Sequence, residues 1–261
     1  MFSPELKTAV NTTRKVNALL RQRFLRTGTK GIHFKKHAEI VTCTDLEANR
    51  LITKTLLKKF PDYDIVSEEA KAIDNPGSKT WYIDPLDGTT NFAYGLTEFS
   101  TCLGLEDKGE IKVGAIGLPI MKEIYWAEKN NGAWCDRRRL YISAKKKHDK
   151  PMLLLCAGHT PAGSDRFHKF FNRLDLVLVR FRMLFSAGVE LTAVASGRAD
   201  ACVLSEINPW DVLAGVLIVR EAGGRVVNWQ GKEWQLNDKT LIAGNKETVA
   251  QMLKLSKNIT A

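Results

Sequence analysis

The spacing of apolar residues over the first sixty positions has the period of an α-helix. Apolar side chains recur at intervals of three to four residues over 4–26 and again over 45–60, with lysine and arginine between them in the first segment. One face of a helix meets residues at this interval, so the pattern predicts two amphipathic helices. The basic and polar stretch between them, residues 27–38, predicts a loop or a bent hairpin.

A second pattern follows, in which short apolar runs are separated by turn residues. Runs of this length are typical of β-strands, and the turns at 107–109 and at Pro119 predict an antiparallel meander. The predicted strands cover residues 63–66, 81–83, 99–105, 112–118 and 123–127, with a continuation at 132–134.

The second half of the chain alternates between the two patterns, and Gly223-Gly224 supplies a helix stop near its middle. Strands are predicted at 152–157, 176–182, 201–204, 225–228 and 241–243, and helices at 164–173, 189–196, 211–222 and 247–257.

This order of elements predicts a layered α/β (α+β) sandwich in which helix and sheet layers alternate. A length of 261 residues allows one large domain or two closely packed ones. We expect an N-terminal α+β half over residues 1–140, which contains the meander, and a C-terminal α/β half over 141–261. The two halves are expected to form one compact unit.

Composition narrows the class of protein. Apolar residues make up 44% of the chain, but no run reaches the roughly 18 residues that a transmembrane helix needs. The N-terminus lacks a basic region followed by an apolar core, so no signal peptide is expected. The five cysteines are scattered and show no CxxC spacing, which argues against a disulfide framework and a zinc cluster. A cytoplasmic protein is therefore expected.

The chain is basic, with a formal net charge of +10. Part of this charge lies in two runs, residues 137–139 and 145–150. A basic surface serves nucleic acid, membrane headgroups or anionic small substrates, and it is also typical of solvated loops. No nucleic-acid-binding motif accompanies the charge, so a nucleic-acid partner is possible without motif support.

The candidate chemistry is concentrated in the run WYIDPLDGTTNF, residues 81–92. An apolar strand leads into Asp84 and Asp87, which can converge on one point only if the backbone bends. Pro85 restrains such a bend and Gly88 permits it. Converging carboxylates repel each other unless a cation lies between them, so the run predicts either a site for a hard divalent metal or an acidic surface turn.

Further acids stand at the ends of other predicted elements. Asp45 and Asp211 lie at helix starts, and Glu68 follows a strand. Taken singly, such residues are usually helix caps or surface acids. Together with the run at 81–92, they favour a metal site, because sites in layered folds gather at strand ends and helix N-termini.

Three blocks of sequence resemble the inositol monophosphatase family of magnesium-dependent, lithium-sensitive phosphatases. They are SEE at 67–69, WYIDPLDGTTNF at 81–92 and PWDVLAGVLIVREAGG at 209–224. The likeness extends over residues 40–224. It implies a layered sandwich of helices and sheets, commonly dimeric, and a phosphomonoesterase that uses Mg²⁺ to activate water.

The resemblance implies a role for each acid of the metal site. Glu68 binds the first metal, and Asp84 bridges two metals. Leu86 contributes its backbone carbonyl. Asp87 and Asp211 complete the second metal site. This set fits Mg²⁺, which prefers a few carboxylates together with water and substrate phosphate oxygens.

The resemblance also implies how water and phosphate are held. Asp45 is expected to hydrogen-bond Thr89, whose hydroxyl helps orient the attacking water, and with Glu68 these residues form the expected catalytic set. Gly88 and Thr89 are expected to offer backbone N–H groups to the phosphate. The expected substrate-binding residues are Asp87, Gly88, Thr89, Thr90, Glu206 and Asp211.

Two positions depart from the family's pattern. Inositol-selective members carry a glutamate seven residues before the helix-starting aspartate, where this chain has Leu204, which cannot accept a hydrogen bond from a hydroxyl. Glu206 either substitutes for that glutamate or is a solvated loop acid. Phe185 stands where many relatives have glycine, and it either narrows the substrate pocket or packs in the core.

The expected function is therefore a magnesium-dependent, inositol-1-phosphatase-like phosphomonoesterase that acts on a small phosphorylated metabolite as a cytoplasmic homodimer. Alternatives within the family are fructose-1,6-bisphosphatase, histidinol-phosphatase and 3′-phosphoadenosine-phosphate phosphatase. An alternative of another class is a nucleic-acid- or protein-binding role carried by the basic surface.

Overall fold

The computed structural model describes residues 2–27, 32–34, 40–75, 77, 79–142, 150–158 and 160–259. These residues form seven helices and fifteen strands. The helices are α1 (Pro4–Thr27), α2 (Cys43–Lys59), α3 (Thr89–Tyr94), α4 (Pro161–Phe171), α5 (Ala187–Ala195), α6 (Pro209–Glu221) and α7 (Lys246–Ser256). The strands are β1 (Ile32–Phe34), β2 (Ile40–Thr42), β3 (Asp64–Ser67), β4 (Ala70–Ile73), β5 (Lys79–Asp87), β6 (Ser100–Asp107), β7 (Glu110–Leu118), β8 (Glu123–Glu128), β9 (Ala133–Cys135), β10 (Arg138–Arg139), β11 (Met152–Ala157), β12 (Arg180–Arg182), β13 (Ala201–Ser205), β14 (Arg225–Val227) and β15 (Thr240–Gly244).

A sheet of eight strands is built from the N-terminal part of the chain, in the order β10-β9-β8-β7-β6-β5-β3-β4. Strands β5 to β10 pair antiparallel in chain order, which confirms the predicted meander. Only the β3–β5 pair of this sheet is parallel among the described residues. Strands β1 and β2 pair antiparallel apart from it. Of the stretch 27–38 that was predicted as a loop or a bent hairpin, residues 28–31 and 35–38 lie outside the described residues.

A second sheet of five strands has the order β12-β11-β13-β15-β14. Strand β11 pairs parallel with both of its neighbours, whereas β15 pairs antiparallel with β13 and β14. Crossover helices connect the parallel strands, as such pairs require.

The elements stack in layers of helix and sheet. Helices α1 and α2 cover one face of the large sheet, and α5 and α6 lie between the two sheets. Helices α4 and α7 cover the outer face of the small sheet. Helix α6 has an unbroken buried run over residues 212–219, as expected of a helix enclosed between two sheets. The predicted layered α/β fold is confirmed, and the division into two halves stays a prediction.

Two glycines allow α6 to lie directly on the large sheet. Gly104 and Gly114 face each other on β6 and β7. A Cβ on Gly104 would lie 2.3 Å from Leu213 Cδ2, and one on Gly114 would lie 2.5 Å from the carbonyl oxygen of Ala214. The start of α6, which carries Asp211, is positioned through these two contacts.

The structure differs from the prediction at one strand. Residues 176–182 were predicted to be extended, but only Arg180–Arg182 form β12. Asp175 accepts hydrogen bonds from the N–H of Leu178 through its carbonyl (3.0 Å) and from the N–H of Val177 through its side chain (2.9 Å). This aspartate-centred turn competes with strand pairing and leaves Leu176, Val177 and Leu178 exposed.

Other differences are additions. Strands β4 and β10 were not predicted, and the Gly-Thr-Thr segment at 88–90 begins the short helix α3 instead of forming a simple turn. Of the two basic runs, 137–139 is exposed, while 145–149 lies outside the described residues. None of the helices in the described part of the chain has the length and hydropathy needed to cross a membrane.

We expect Gly114→Ala to lower the free energy of unfolding by about 1–3 kcal/mol, because the added methyl meets rigid backbone of α6. Gly104→Ala should cost less, since its methyl meets the end of the Leu213 side chain, which can rotate away. Urea unfolding followed by circular dichroism measures both values. Equal losses in the two variants would contradict the proposed difference between backbone and side-chain contact.

Candidate active site

A bulge in β5 brings Asp84 and Asp87 to one place. Asp84 pairs with Cys102 and Asp87 with Ser100. Residues 84–87 of β5 therefore lie opposite residues 100–102 of β6, so that β5 has one residue more than its partner. The extra residue bends the strand, and the Thr101 hydroxyl donates to the carbonyl of Pro85 at 3.1 Å within the bulge. The bend that the sequence required for converging carboxylates is thus a β-bulge.

The Asp87 carboxylate lies at the N-terminus of α5. One oxygen accepts hydrogen bonds from the Ser100 and Ser186 hydroxyls, both at 2.6 Å, and from the N–H of Gly188 at 2.8 Å. The other accepts from the N–H of Ala187 at 3.2 Å. Burial raises the pKa of Asp87, and these hydrogen bonds oppose that rise because they favour the charged form.

Asp84 is buried beside other carboxylates. Burial, and then the charges of Glu68, Asp87 and Asp211, raise its pKa well above its ordinary value. One of its oxygens accepts a hydrogen bond from the N–H of Leu86 at 2.9 Å. Asp84 and these three acids therefore lie close enough for their charges to interact, although they come from β5, α6 and the segment after β3.

Asp211 stands in the first turn of α6 and takes part in a capping box with Asn208. The N–H of Asn208 donates to its carboxylate at 2.9 Å. Burial, together with the charges of Glu68 and Asp87, raises its pKa well above the ordinary value. Asp211 therefore has the capping role that is usual for an acid at a helix start. It also lines a cavity that contains Glu68, Asp84 and Asp87.

Asp45 reaches the site through Thr89. Its carboxylate accepts a hydrogen bond from the Thr89 hydroxyl at 2.9 Å, and its other oxygen accepts from the N–H of Thr42 at 2.9 Å and from the Thr42 hydroxyl. The Thr89 hydroxyl also lies 2.9 Å from the carbonyl of Leu86. Burial raises the pKa of Asp45. The expected Asp45–Thr89 hydrogen bond is present.

Gly88 cannot be replaced without strain at this point. Its φ of 85° is left-handed, and an added Cβ would lie 2.9 Å from the carbonyl oxygen of Glu98 and 3.1 Å from Ser186 Cβ. The glycine therefore lets the chain turn sharply from β5 into α3.

One cavity of about 520 Å³ joins these residues. Asp45 is not part of its lining and acts on it through Thr89. The expected site residues that line the cavity are Glu68, Asp84, Leu86, Asp87, Gly88, Thr89, Thr90, Glu206 and Asp211.

The cavity lining also contains the two positions that depart from the family's pattern, Leu204 and Phe185, and we call these two residues and Glu206 the wall of the cavity. Leu204 is fully buried, and Phe185 is 42% exposed with a left-handed φ of 53°. Both line the cavity. Phe185 is therefore a wall residue and not a core residue.

Glu206 is held in place at this wall. Its φ of 59° is also left-handed, and a Cβ on Gly158 or Gly163 would lie 2.3 or 2.6 Å from Glu206 Cβ. The two glycines thus make room for the side chain. Arg166, which is 7% exposed, places Nη1 3.4 Å from Glu206 Oε2. Glu206 is therefore paired with a buried arginine, and it is not a freely solvated loop acid.

The sequence reasoning missed the groups that surround Asp87 and the wall. Ser186, directly before a helix, carried a recognisable capping signal, but nothing in the pattern linked it to Asp87. Ser100 and Arg166 carried no signal. Glu190 on α5 is fully buried, and burial, with a further contribution from the Asp87 charge, raises its pKa to about 8.

The donor set fits a hard cation. Asp84 and its neighbouring acids repel each other, which a positive charge between them would relieve. Among the described residues, no three His, Cys, Asp or Glu side chains are already gathered tightly enough to hold a metal ion by themselves. The fit therefore rests on the chemistry of the donors, since carboxylate and carbonyl oxygens are the ligands that a hard cation such as Mg²⁺ prefers.

Comparison with known proteins identifies the family. The sequence model of the inositol monophosphatase family matches residues 2–261. The chain belongs to this family. It is a phosphoric monoester hydrolase, and its family is generally metal-dependent.

Two curated relatives have different names. A Thermotoga maritima protein named fructose-1,6-bisphosphatase/inositol-1-monophosphatase is 37% identical over 242 residues, which cover 92% of this chain and 91% of the relative. A Pasteurella multocida protein named Nus factor SuhB is 32% identical over 257 residues, with coverages of 97% and 95%.

Solved structures of family members superpose over nearly the whole chain. An IMPase of Thermotoga maritima has a TM-score of 0.88 at 33% identity and covers 98% of both chains. The extragenic suppressor protein suhB of Bartonella henselae has a TM-score of 0.91 at 28% identity, with coverages of 98% and 99%.

Glu190 should make the stability of this family member depend on pH. Its pKa is about 8 when folded against an ordinary 4.5, so the folded state binds more protons between these values. Its contribution to the free energy of unfolding must fall as pH rises from about 4.5 to about 8, by at most about 1.4 kcal/mol per pH unit. Urea unfolding without added metal should show a flatter pH dependence in Glu190→Gln than in wild type. Parallel curves would contradict this.

Proposed function

We propose that this enzyme is a Mg²⁺-dependent phosphomonoesterase that hydrolyses a small, polyhydroxylated phosphate ester. The observation that carries the proposal is the convergence of Glu68, Asp84, Asp87 and Asp211 on one cavity beside the start of α3. Four acids in mutual repulsion are costly, and they are retained where their charge binds a cation.

The residues that would hold magnesium are Glu68, Asp84 and the Leu86 carbonyl for a first ion, and Asp84, Asp87 and Asp211 for a second. When bound, the metal lowers the pKa of water and neutralises the charge that develops on the phosphate and the leaving oxygen. The hydroxyls and N–H groups around Asp87 fix the position of its carboxylate.

Thr89 is suited to orient the attacking water. Its single hydroxyl proton is directed to Asp45 or to the Leu86 carbonyl, so its lone pairs can accept a proton of the water. Glu68 lines the same cavity and is the proposed acid–base partner. The N–H groups of Gly88, Thr89 and Thr90 at the start of α3 are proposed to hold the phosphate oxygens.

Glu206 is the proposed contact for substrate hydroxyls. Glu206 lines the cavity together with Leu204, which cannot accept hydrogen bonds, and the buried Arg166 pairs with its carboxylate and orients it. Inositol phosphates and sugar phosphates such as fructose 1,6-bisphosphate both offer hydroxyl groups. The double name of the Thermotoga maritima relative, which covers both activities, supports this substrate class.

Other expectations from the resemblance stay proposals. We propose lithium sensitivity, a cytoplasmic location and a homodimer, for which the exposed Leu176, Val177 and Leu178 offer an apolar surface. A nucleic-acid partner has weaker support. Relatives named Nus factor SuhB and the exposed arginines at 137–139 are consistent with it, but those arginines lie away from the cavity.

Asp84→Asn should abolish Mg²⁺-dependent phosphate release while it raises the free energy of unfolding, because the amide keeps the hydrogen bond from the N–H of Leu86 and ends the repulsion. Calorimetric titration with Mg²⁺ and urea unfolding measure the two effects. Asp165→Asn, at an exposed residue that pairs with Lys169, is the control and should change neither. Retained activity in Asp84→Asn would refute the metal assignment.

Glu206→Gln should raise KM for inositol phosphate and fructose 1,6-bisphosphate about 5- to 10-fold, because a hydrogen bond to a charged acceptor is roughly twice as strong as one to a neutral acceptor. Activity on p-nitrophenyl phosphate, which has no hydroxyls, should not change. A substrate screen on wild type and Glu206→Gln measures phosphate release in the presence of Mg²⁺, with and without lithium. It also includes histidinol phosphate and phosphoadenosine phosphate as substrates. An equal loss on p-nitrophenyl phosphate would show that Glu206 does not contact substrate hydroxyls.

A further inference from the structure

The turn that carries Phe185 is strained and is not held by burial of its side chain. Phe185 has a φ of 53°, in a region that costs a residue with a Cβ about 1–2 kcal/mol. Because the residue is 42% exposed, packing of the ring can offset only part of this cost. Backbone contacts must therefore hold the turn.

Two side chains supply such contacts, both at Leu184. Glu190 Oε1 accepts a hydrogen bond from the N–H of Leu184 at 3.2 Å. Asn91 Nδ2 donates to the carbonyl of Leu184 at 2.6 Å and to that of Glu98 at 2.6 Å. Asn91 belongs to α3, so the turn is tied to the helix that follows the metal-site bulge.

The same segment continues into the groups that hold Asp87. Ser186, Ala187 and Gly188 follow Phe185 directly, and all three donate to the Asp87 carboxylate. A shift of the turn would therefore move both the cavity wall and the support of Asp87. Glu190 lies about one turn further along α5, and its carboxyl accepts the hydrogen bond from the N–H of Leu184, the residue before Phe185.

Nothing else in the described structure explains the acid at this position. Glu190 is fully buried, and its Oε2 has no hydrogen-bond partner among the described residues. An apolar residue would cost less in a helix enclosed between two sheets. With a pKa of about 8, the carboxyl is mostly neutral at pH 7, so glutamine is a close mimic.

We propose that Glu190 is a positioning residue that fixes the Leu184–Phe185 turn, and with it the substrate-facing wall of the cavity, relative to Asn91 and Asp87. The role of the wall in substrate selection rests on the proposed function. The contact between Glu190 and the Leu184–Phe185 turn, which we call the clamp, does not depend on that function.

Hydrogen exchange measured by mass spectrometry on the full chain tests the clamp without reference to activity. Glu190→Met keeps the size of the side chain but removes the acceptor of the Leu184 N–H, so exchange at the amide of Leu184 should quicken about 5- to 10-fold, as for the loss of one hydrogen bond. Glu190→Gln should stay within about twofold of wild type, because its carbonyl still accepts.

Thr192→Val is the matched control. Thr192 is a fully buried polar residue of the same helix. Among the described residues, its hydroxyl bonds only to the carbonyls of Gly188 and Val189 in that helix. Its loss should change stability without faster exchange at Leu184. Unchanged exchange in Glu190→Met, or equal changes in Glu190→Met and Thr192→Val, would overturn the proposal and leave Glu190 as a helix-stabilising acid.

Kinetics test the consequence for the wall. Glu190→Met should raise KM for the best hydroxylated substrate at least threefold and by a larger factor than it lowers kcat, and Glu190→Gln should restore the wild-type values. If the exchange result is as expected but no phosphate ester is hydrolysed by wild type, the proposed function fails and the clamp stands. A fall in kcat with an unchanged KM would overturn the assignment to the substrate wall.

A second variant decides the matter if Glu190→Met does not fold. Phe185→Gly relieves the left-handed strain, so the double variant Phe185→Gly, Glu190→Met needs the clamp less and should recover part of the lost stability. The loss from Glu190→Met, taken from Tm, should therefore be smaller in the glycine background. No recovery of folding or of Tm in the double variant would contradict a clamp that acts on Phe185.

Discussion

The constraint on which this structure depends is the repulsion between carboxylates that are held together and away from water. Asp84 has three acids as neighbours, and its pKa rises accordingly. A chain that only had to be stable would spread such charges over its surface. The acids are nevertheless brought together from the segment after β3, from the β5 bulge and from the start of α6. Much of the surrounding architecture serves to hold these three pieces in place.

The support of these acids is largely backbone. Asp87 rests on the first N–H groups of α5, and Asp211 is part of the capping box that starts α6. Helix starts stabilise negative charge, because their N–H groups have no partner within the helix. Helix α6 is in turn seated on Gly104 and Gly114 of the large sheet. The packing of the layers thus positions the helix starts that support these carboxylates.

The wall of the cavity follows another principle. Phe185 and Glu206 both adopt left-handed backbone conformations, which are unfavourable for residues with a Cβ. Each is held by a buried ionisable partner, Glu190 for the first and Arg166 for the second. Strain that persists in this way is concentrated where function requires a particular shape. In this enzyme the four acids are proposed to supply the metal-dependent chemistry, and the strained wall is the part expected to distinguish substrates.

The sequence by itself determined the layered fold, the meander and the identity of the acids, because apolar periodicity and the order of motifs are local properties of the chain. It could not predict the turn at 175–178, where an aspartate outcompetes strand pairing in an apolar run. Nor could it show that Ser100 and Ser186 hold Asp87, or that Arg166 pairs with Glu206. Those partners lie 13, 99 and 40 positions apart in the chain. Only tertiary packing decides such contacts, since a hydrogen bond depends on distance in space and leaves no periodic trace in the sequence.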